Sequence, residues 1–265
     1  MVTKYRNRGR HMKKVLLTIS YNGKAYSGYQ LQGELPTVAL MLNRAAQSTF
    51  GFECNVTGCS RTDKGVHALG FCATVAPKNA TDKITVPIDK IPIAMNINLP
   101  NDISVLSAKE VSEDFHPRYD AIKKEYVYKI HASKVRNPFY DGFALEYGRE
   151  ISDVGLEKMI RGATFFLGTH EFDAFMSAGS QIENTERTVY EARVERNGDL
   201  VEFTVCANGF LYNMVRIMVG TLLQVERGKI KPEEISDIIL SKKRDRAGFT
   251  AKPDGLYLKK LHYYS

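Results

Sequence analysis

The sequence predicts an α+β chain of two halves, each in the order β-α-β-β-α-β, the ferredoxin-like order that RNA recognition modules also use. Three observations carry this. Segments of period-two apolar alternation and segments of helical periodicity follow one another in that order twice, over 13–112 and over 113–265. At 265 residues, the chain suits one large domain or two fused ones. It is 43% hydrophobic and 25% charged, values of an ordinary globular protein. No apolar run approaches the roughly 18 residues of a membrane span.

In the first half, Lys14–Ser20 reads as a strand, with Val15, Leu17 and Ile19 on one face. A glycine-rich loop, Tyr21 to Gly33, follows. Pro36-Thr37 opens a helix whose apolar side includes Val38, Leu42, Ala45 and Ala46. Glu53–Thr57 and Leu69–Val75 are short strands on either side of a polar loop. Pro87–Met95 is a short helix and Ile103–Val111 the closing strand. In the second half, Glu125–His131 alternates as a strand and Asp153–Leu167 has helical periodicity. Thr188–Glu195 and Leu200–Cys206 are strands joined through Asn197-Gly198, a strong hairpin signal. Phe210–Val225 and Pro232–Leu240 are helices, the second with proline in its first turn. Leu256–Tyr263 closes as a strand, and no residue-level repeat links the halves.

The net charge is +7, of which Lys4, Arg6, Arg8, Arg10, Lys13 and Lys14 supply six, leaving +1 for the other 251 residues. Residues 1–12 therefore read as a basic arm or leader. Such an arm can grip phosphates, and a start placed too early leaves the same signature, so charge alone leaves nucleic-acid binding open. The basic, polar N-terminus lacks the apolar stretch of a secretory signal. Cys54, Cys59, Cys72 and Cys206 form no C-x-x-C pair, and the six histidines show no H-x-x-x-H spacing. Reduced thiols, a cytoplasmic location and no metal site are the expectation.

The densest polar cluster is Gly58 to His67, between two strand segments. Two readings stand: Asp63 is a catalytic carboxylate flanked by Arg61 and Lys64, or it closes a solvated turn on its own backbone. Composition alone favours the turn. In the apolar helix over Phe210–Val225, Asn213, Arg216, Gly220 and Gln224 form one polar or small stripe that faces either water or a cleft. A guanidinium in a cleft seeks a carboxylate. Tyr126 and Tyr128 share a strand face, as packing or as a stacking platform for bases. Phe115-His116-Pro117-Arg118 has no reading of its own.

Taken together, these segments resemble the TruA-type tRNA pseudouridine synthases. Tyr21-Asn22-Gly23 with Ser27-Gly28-Tyr29-Gln30 looks like the first motif of that family, and Ser60-Arg61-Thr62-Asp63-Lys64-Gly65-Val66-His67-Ala68 like its catalytic loop. Phe115 to Ala121 with Lys124-Glu125-Tyr126-Val127-Tyr128 looks like the third. Phe166 to Phe172, Asn208 to Gly220 and Thr250 to Leu258 complete the series. Each motif is weak; six in order, from about Lys14 to Tyr263, are specific.

The resemblance implies two ferredoxin-like halves with joined, antiparallel-rich sheets and a central basic cleft. It makes Asp63 the catalytic aspartate, places Tyr126 against the target base, pairs Arg216 with the Asp63 carboxylate and gives Arg61 a hold on the extruded nucleotide. Lys64, His67 and Arg118, within the same motifs, join the expected substrate contacts. It also implies a homodimer clasping one tRNA, with uridines 38, 39 and 40 of the anticodon stem-loop as targets. The reaction moves no electrons to or from a donor, so no cofactor is expected. The target base must leave its stack. The carboxylate then acts at C1′ as nucleophile, at C2′ as base, or at C6 of uracil; all three routes stay open. Three departures stand out: Tyr29 where the family often has tryptophan, Lys64 where it often has a small residue, and a poorly matched segment over Met176–Asn184.

Overall fold

The structure is a computed structural model and describes residues 12–179 and 182–264. The basic arm expected over 1–12 lies, Met12 apart, outside them. The chain is mixed α+β and divides into two compact units, one running up to Lys64 and over Ala68–Asp120, the other holding Gly65–His67 and Ala121 onward.

In the first unit, β1 (Val15–Tyr21) alternates buried and half-exposed residues without a break, as the sequence pattern requires. Helix α1 (Val38–Phe50) starts where Thr37 accepts the Leu40 N–H at 3.3 Å and stops at Gly51, whose φ of 80° only glycine adopts freely. Strands β2 (Cys54–Gly58) and β3 (His67–Pro77) flank the polar loop. Helix α2 (Ile91–Ile97) begins four residues later than the pattern suggests. Pro87 forms a separate turn, accepting from Lys90 and Ile91, and Pro92 then fits the first helical turn, where its missing N–H costs nothing. Strand β4 (Ile103–Glu110) closes the unit. The sheet order is β4-β1-β3-β2, antiparallel throughout.

The second unit contains β5 (Ala121–His131), β6 (Leu145–Glu146), α3 (Asp153–Thr164), β7 (Gly168–Glu171), β8 (Glu186–Asn197), β9 (Leu200–Ala207), α4 (Met214–Glu226), α5 (Glu234–Ser241) and β10 (Leu256–Tyr263). Its sheet runs β10-β5-β9-β8-β7, antiparallel, with β6 added parallel to β5. The expected Asn197-Gly198 turn is present, with Gly198 at φ 59°. Strands β6 and β7 escape the sequence pattern because two and four residues are too short to show alternation. Helix α4 starts at Met214 rather than Phe210 because Asn213 takes a left-handed conformation, φ 61°. Almost all of α4 is buried, against β5, α3 and the chain beside it. Among the described residues, no helix is long and apolar enough to cross a membrane.

Candidate active site

In the first unit, the loop after β2 is shaped from below by the glycine-rich loop after β1. The Tyr29 N–H donates to the Thr62 carbonyl at 3.1 Å, and Tyr21 and Thr62 share a buried hydroxyl contact at 2.8 Å. Gly28 sits at φ 92°, and a Cβ there would lie 2.6 Å from the Thr62 oxygen, so a larger residue would push the two loops apart. Cys59 anchors the start of the loop: its N–H donates to the Cys72 carbonyl at 2.9 Å, and its sulfur receives the Cys72 N–H. Thr62 is buried, Asp63 half-buried, and Arg61 and Lys64 exposed. Asp63 thus follows directly on a stretch fastened at Cys59 and Thr62, and the cations that flank it are exposed.

Arg118 lies in the same unit, in a turn before β5. The His116 N–H donates to the Asp120 carboxylate at 2.8 Å, and the Asp120 N–H returns to the His116 carbonyl at 3.1 Å. Lys14, counted by sequence with the basic N-terminus, pins this turn by donating to the carbonyls of Glu113 and Phe115. Arg61 and Arg118 line one cleft of about 260 Å³.

In the second unit, Tyr126 is central in the sheet, opposite Val205 of β9 and Leu258 of β10. Its ring meets Phe210 edge-on at 5.0 Å, which fixes its orientation. Tyr128, two residues on, donates its hydroxyl to the Lys252 carbonyl at 2.6 Å. Burial pushes that phenol far above its ordinary pKa, against the pull of the Arg216 charge nearby, so it stays protonated and donating.

Arg216 projects from the first turn of α4. Its Nε donates to the Ala251 carbonyl at 2.6 Å and its Nη1 to the Asn213 side-chain oxygen at 2.6 Å. The Ala251 N–H returns to the Arg216 carbonyl, and the Asn213 side-chain NH₂ donates to Ser177 at 3.0 Å. Along the stripe on α4, Asn213, Arg216 and Gln224 are half-buried and Gly220 is buried. At Gly220, a Cβ would lie 1.7 Å from the Phe249 carbonyl oxygen, and at Gly248 one would lie 2.3 Å from the Thr221 nitrogen. The two glycines let helix and chain touch backbone to backbone, and that contact aims Arg216.

His67 is 1% exposed and lies between the rings of Tyr257, at 4.6 Å, and Phe143, at 5.5 Å. Desolvation lowers its pKa, opposed by hydrogen bonding to the backbone of Gly142 and Asp254. Lys129 caps the far side of the stack, 4.9 Å from the Tyr257 ring.

Of the residues singled out by sequence, Arg61, Asp63, Lys64 and Arg118 stand on the first unit, and His67, Tyr126 and Arg216 on the second. Sequence reasoning passed over Asn213 as a partner of Arg216, and Tyr119 and His116 beside Arg118. The signal for the last two was a run of aromatic and basic side chains in one short loop. Among the described residues, no cluster of three or more His, Cys, Asp or Glu side chains is placed to hold a metal ion.

A family model described as tRNA pseudouridine synthase matches residues 163–264. The chain is 42% identical over 252 residues to tRNA pseudouridine synthase A of Thermoanaerobacter sp. (strain X514), covering 95% of this chain and 100% of the relative. It is 41% identical to the protein of that name from Acetivibrio thermocellus and 38% identical to that from Clostridium acetobutylicum, with the same coverage in each. With this similarity over nearly the whole chain, the chain belongs to the tRNA pseudouridine synthase A family, a family of isomerases.

Proposed function

We propose that the chain converts uridine to pseudouridine at positions 38, 39 and 40 of the tRNA anticodon stem-loop, with Asp63 as the catalytic group. The observation that carries this is likeness over the whole length of its relatives, and Asp63 stands in the loop that resembles the family's catalytic motif. In the reaction, the N1–C1′ bond of uridine breaks, the base turns over, and C5 bonds to C1′. C5 gives up its proton and N1 gains one, so electrons balance within the substrate and no cofactor is required.

On this reading, Asp63, Tyr126 and Arg216 act on one uridine. Arg216 favours the ionised carboxylate. Tyr126 packs against uracil, and its hydroxyl relays the C5 proton. Arg61, Lys64 and Arg118, exposed and cationic, hold phosphates in a salt-dependent way. His67, buried between two rings, supports the end of the loop from within.

We read 13–112 and 113–265 as ferredoxin-like halves with joined sheets and a basic cleft. Supporting this is the order β4-β1-β3-β2 in one unit and β10-β5-β9-β8 in the other, the same antiparallel arrangement. We also read the protein as a cytoplasmic homodimer on one tRNA, a state that light scattering checks directly.

The test uses tRNA carrying tritium at C5 of uridine. Tritium release without free uracil, with the modified positions mapped to 38–40, is expected. Free uracil would make the protein a nucleoside hydrolase, although that chemistry usually needs two carboxylates across the bond. Tight tRNA binding with no release would make it a binding protein that keeps the fold.

A further inference from the structure

The turn over His116 to Asp120 presents a flat aromatic ring to solvent beside two cations. Tyr119 is 74% exposed, yet it is not left to swing. The turn is closed by the two His116–Asp120 hydrogen bonds, the His116 ring lies 4.3 Å from the Tyr119 ring, and the Arg118 guanidinium lies 5.7 Å from its centroid. His116 Nδ1 accepts the N–H groups of Arg118 and Tyr119, at 3.1 and 3.3 Å. The neutral ring therefore carries its proton on Nε2, which is left to donate.

The cleft beside this turn is lined by two guanidiniums and by no carboxylate. Neither Arg61 nor Arg118 has an ion-pair partner among the described residues. One wall is Tyr29, stacked on Phe71 at 4.3 Å, and its hydroxyl is buried with no hydrogen-bond partner among the described residues. Tyr29 reaches this position because the residue beneath its ring is Gly58, where a Cβ would lie 2.3 Å from the ring. At about 260 Å³, the cleft falls just below the usual 300–1,000 Å³ of small-molecule pockets, a size for one nucleotide rather than several.

We propose that this cleft is a single-nucleotide subsite for a neighbour of the target uridine, its phosphate between Arg61 and Arg118 and its base stacked on Tyr119. The proposal rests on the synthase reading for the identity of the RNA. Every base has a π-face, so the subsite tolerates sequence. His116 Nε2–H gives the bound nucleotide a polar partner. A nucleotide gripped here holds the strand beside the base that must leave the stack, which orders the substrate before chemistry.

The experiment uses the full-length protein and an anticodon stem-loop RNA with 2-aminopurine placed in turn on each side of the target uridine. Tyr119→Ala is expected to raise KM for tritium release about 10-fold, with the effect in KM rather than kcat, and to abolish fluorescence quenching at one of the two positions. Tyr119→Phe is expected to recover most of both. Arg118→Gln is expected to reduce the slope of log Kd against log salt by about one. Wild-type KM and quenching in Tyr119→Ala would overturn the subsite while leaving the synthase reading intact. If the wild type bound the stem-loop without releasing tritium, the synthase reading would fall, and Kd and quenching of Tyr119→Ala would still decide the subsite.

Discussion

Arg216 and Arg61 are both arginines in family motifs, and the chain treats them oppositely. Arg216 is half-buried and held at two of its nitrogens, by the Ala251 carbonyl and by Asn213. Arg61 is exposed on a loop whose backbone is fastened while its side chain is not. A group that must meet a reacting atom benefits from being fixed beforehand. A group that must find a phosphate on a mobile RNA benefits from reach. On the proposed function, the contrast separates residues placed for chemistry from those placed for grip.

The contrast breaks most severely at Arg216 itself. Arg216→Lys keeps the charge but cannot reproduce the forked hydrogen bonds. It is expected to lower kcat about 100-fold with little change in tRNA affinity. Arg61→Lys, where reach matters more than shape, is expected to act mainly on KM. Steady-state kinetics on both variants check the split, and equal effects in kcat would erase it.

The next largest effect lies under Arg216. Gly220→Ala forces a methyl into the Phe249 carbonyl oxygen and is expected to destabilise the protein by about 3 kcal/mol or more. Urea unfolding measures this. Wild-type stability would mean that α4 is not seated on that chain.

Asn213 sharpens the comparison at smaller scale. Asn213→Ala loses the Arg216 partner and keeps the left-handed backbone; Asn213→Gly loses the partner and relieves the strain. Both are expected to lower kcat about 10-fold, since one hydrogen bond to a charged group is worth roughly 1.5–3 kcal/mol, while only the alanine variant loses stability as well. A kcat that follows stability instead would give Asn213 a structural role alone.

The smallest effect comes from His67. Its pKa is lowered in the folded state, so the unfolded chain binds a proton that the native chain refuses. Its contribution is whole above the ordinary histidine value near pH 6.5 and is lost as pH falls below it. The melting temperature is expected to drop between pH 7.5 and 5.5, and His67→Phe to flatten part of that drop. An unchanged slope would remove His67 as the group responsible.

Much of this was legible in the sequence. Val15, Leu17 and Ile19 announce β1 by period alone, and Pro36-Thr37 and Asn197-Gly198 mark a helix start and a hairpin by local chemistry. Asp63 was legible as a polar cluster, but its preference over a solvated turn came from the resemblance. Periodicity placed Arg216 on a stripe, but only tertiary contact reveals why Gly220 and Gly248 carry no side chain. Strand β7 pairs with β8 across a long loop, and the Tyr119 platform is made by a turn closing on itself; neither leaves a period to read.

The most direct test of the central claim is single-turnover tritium release from C5-labelled tRNA by wild type and Asp63→Asn, with tRNA affinity measured for both. The substitution removes the carboxylate charge at nearly constant size. Release is expected to fall by at least about 1,000-fold while affinity holds. Undiminished release by Asp63→Asn would contradict the account, whatever the other residues do.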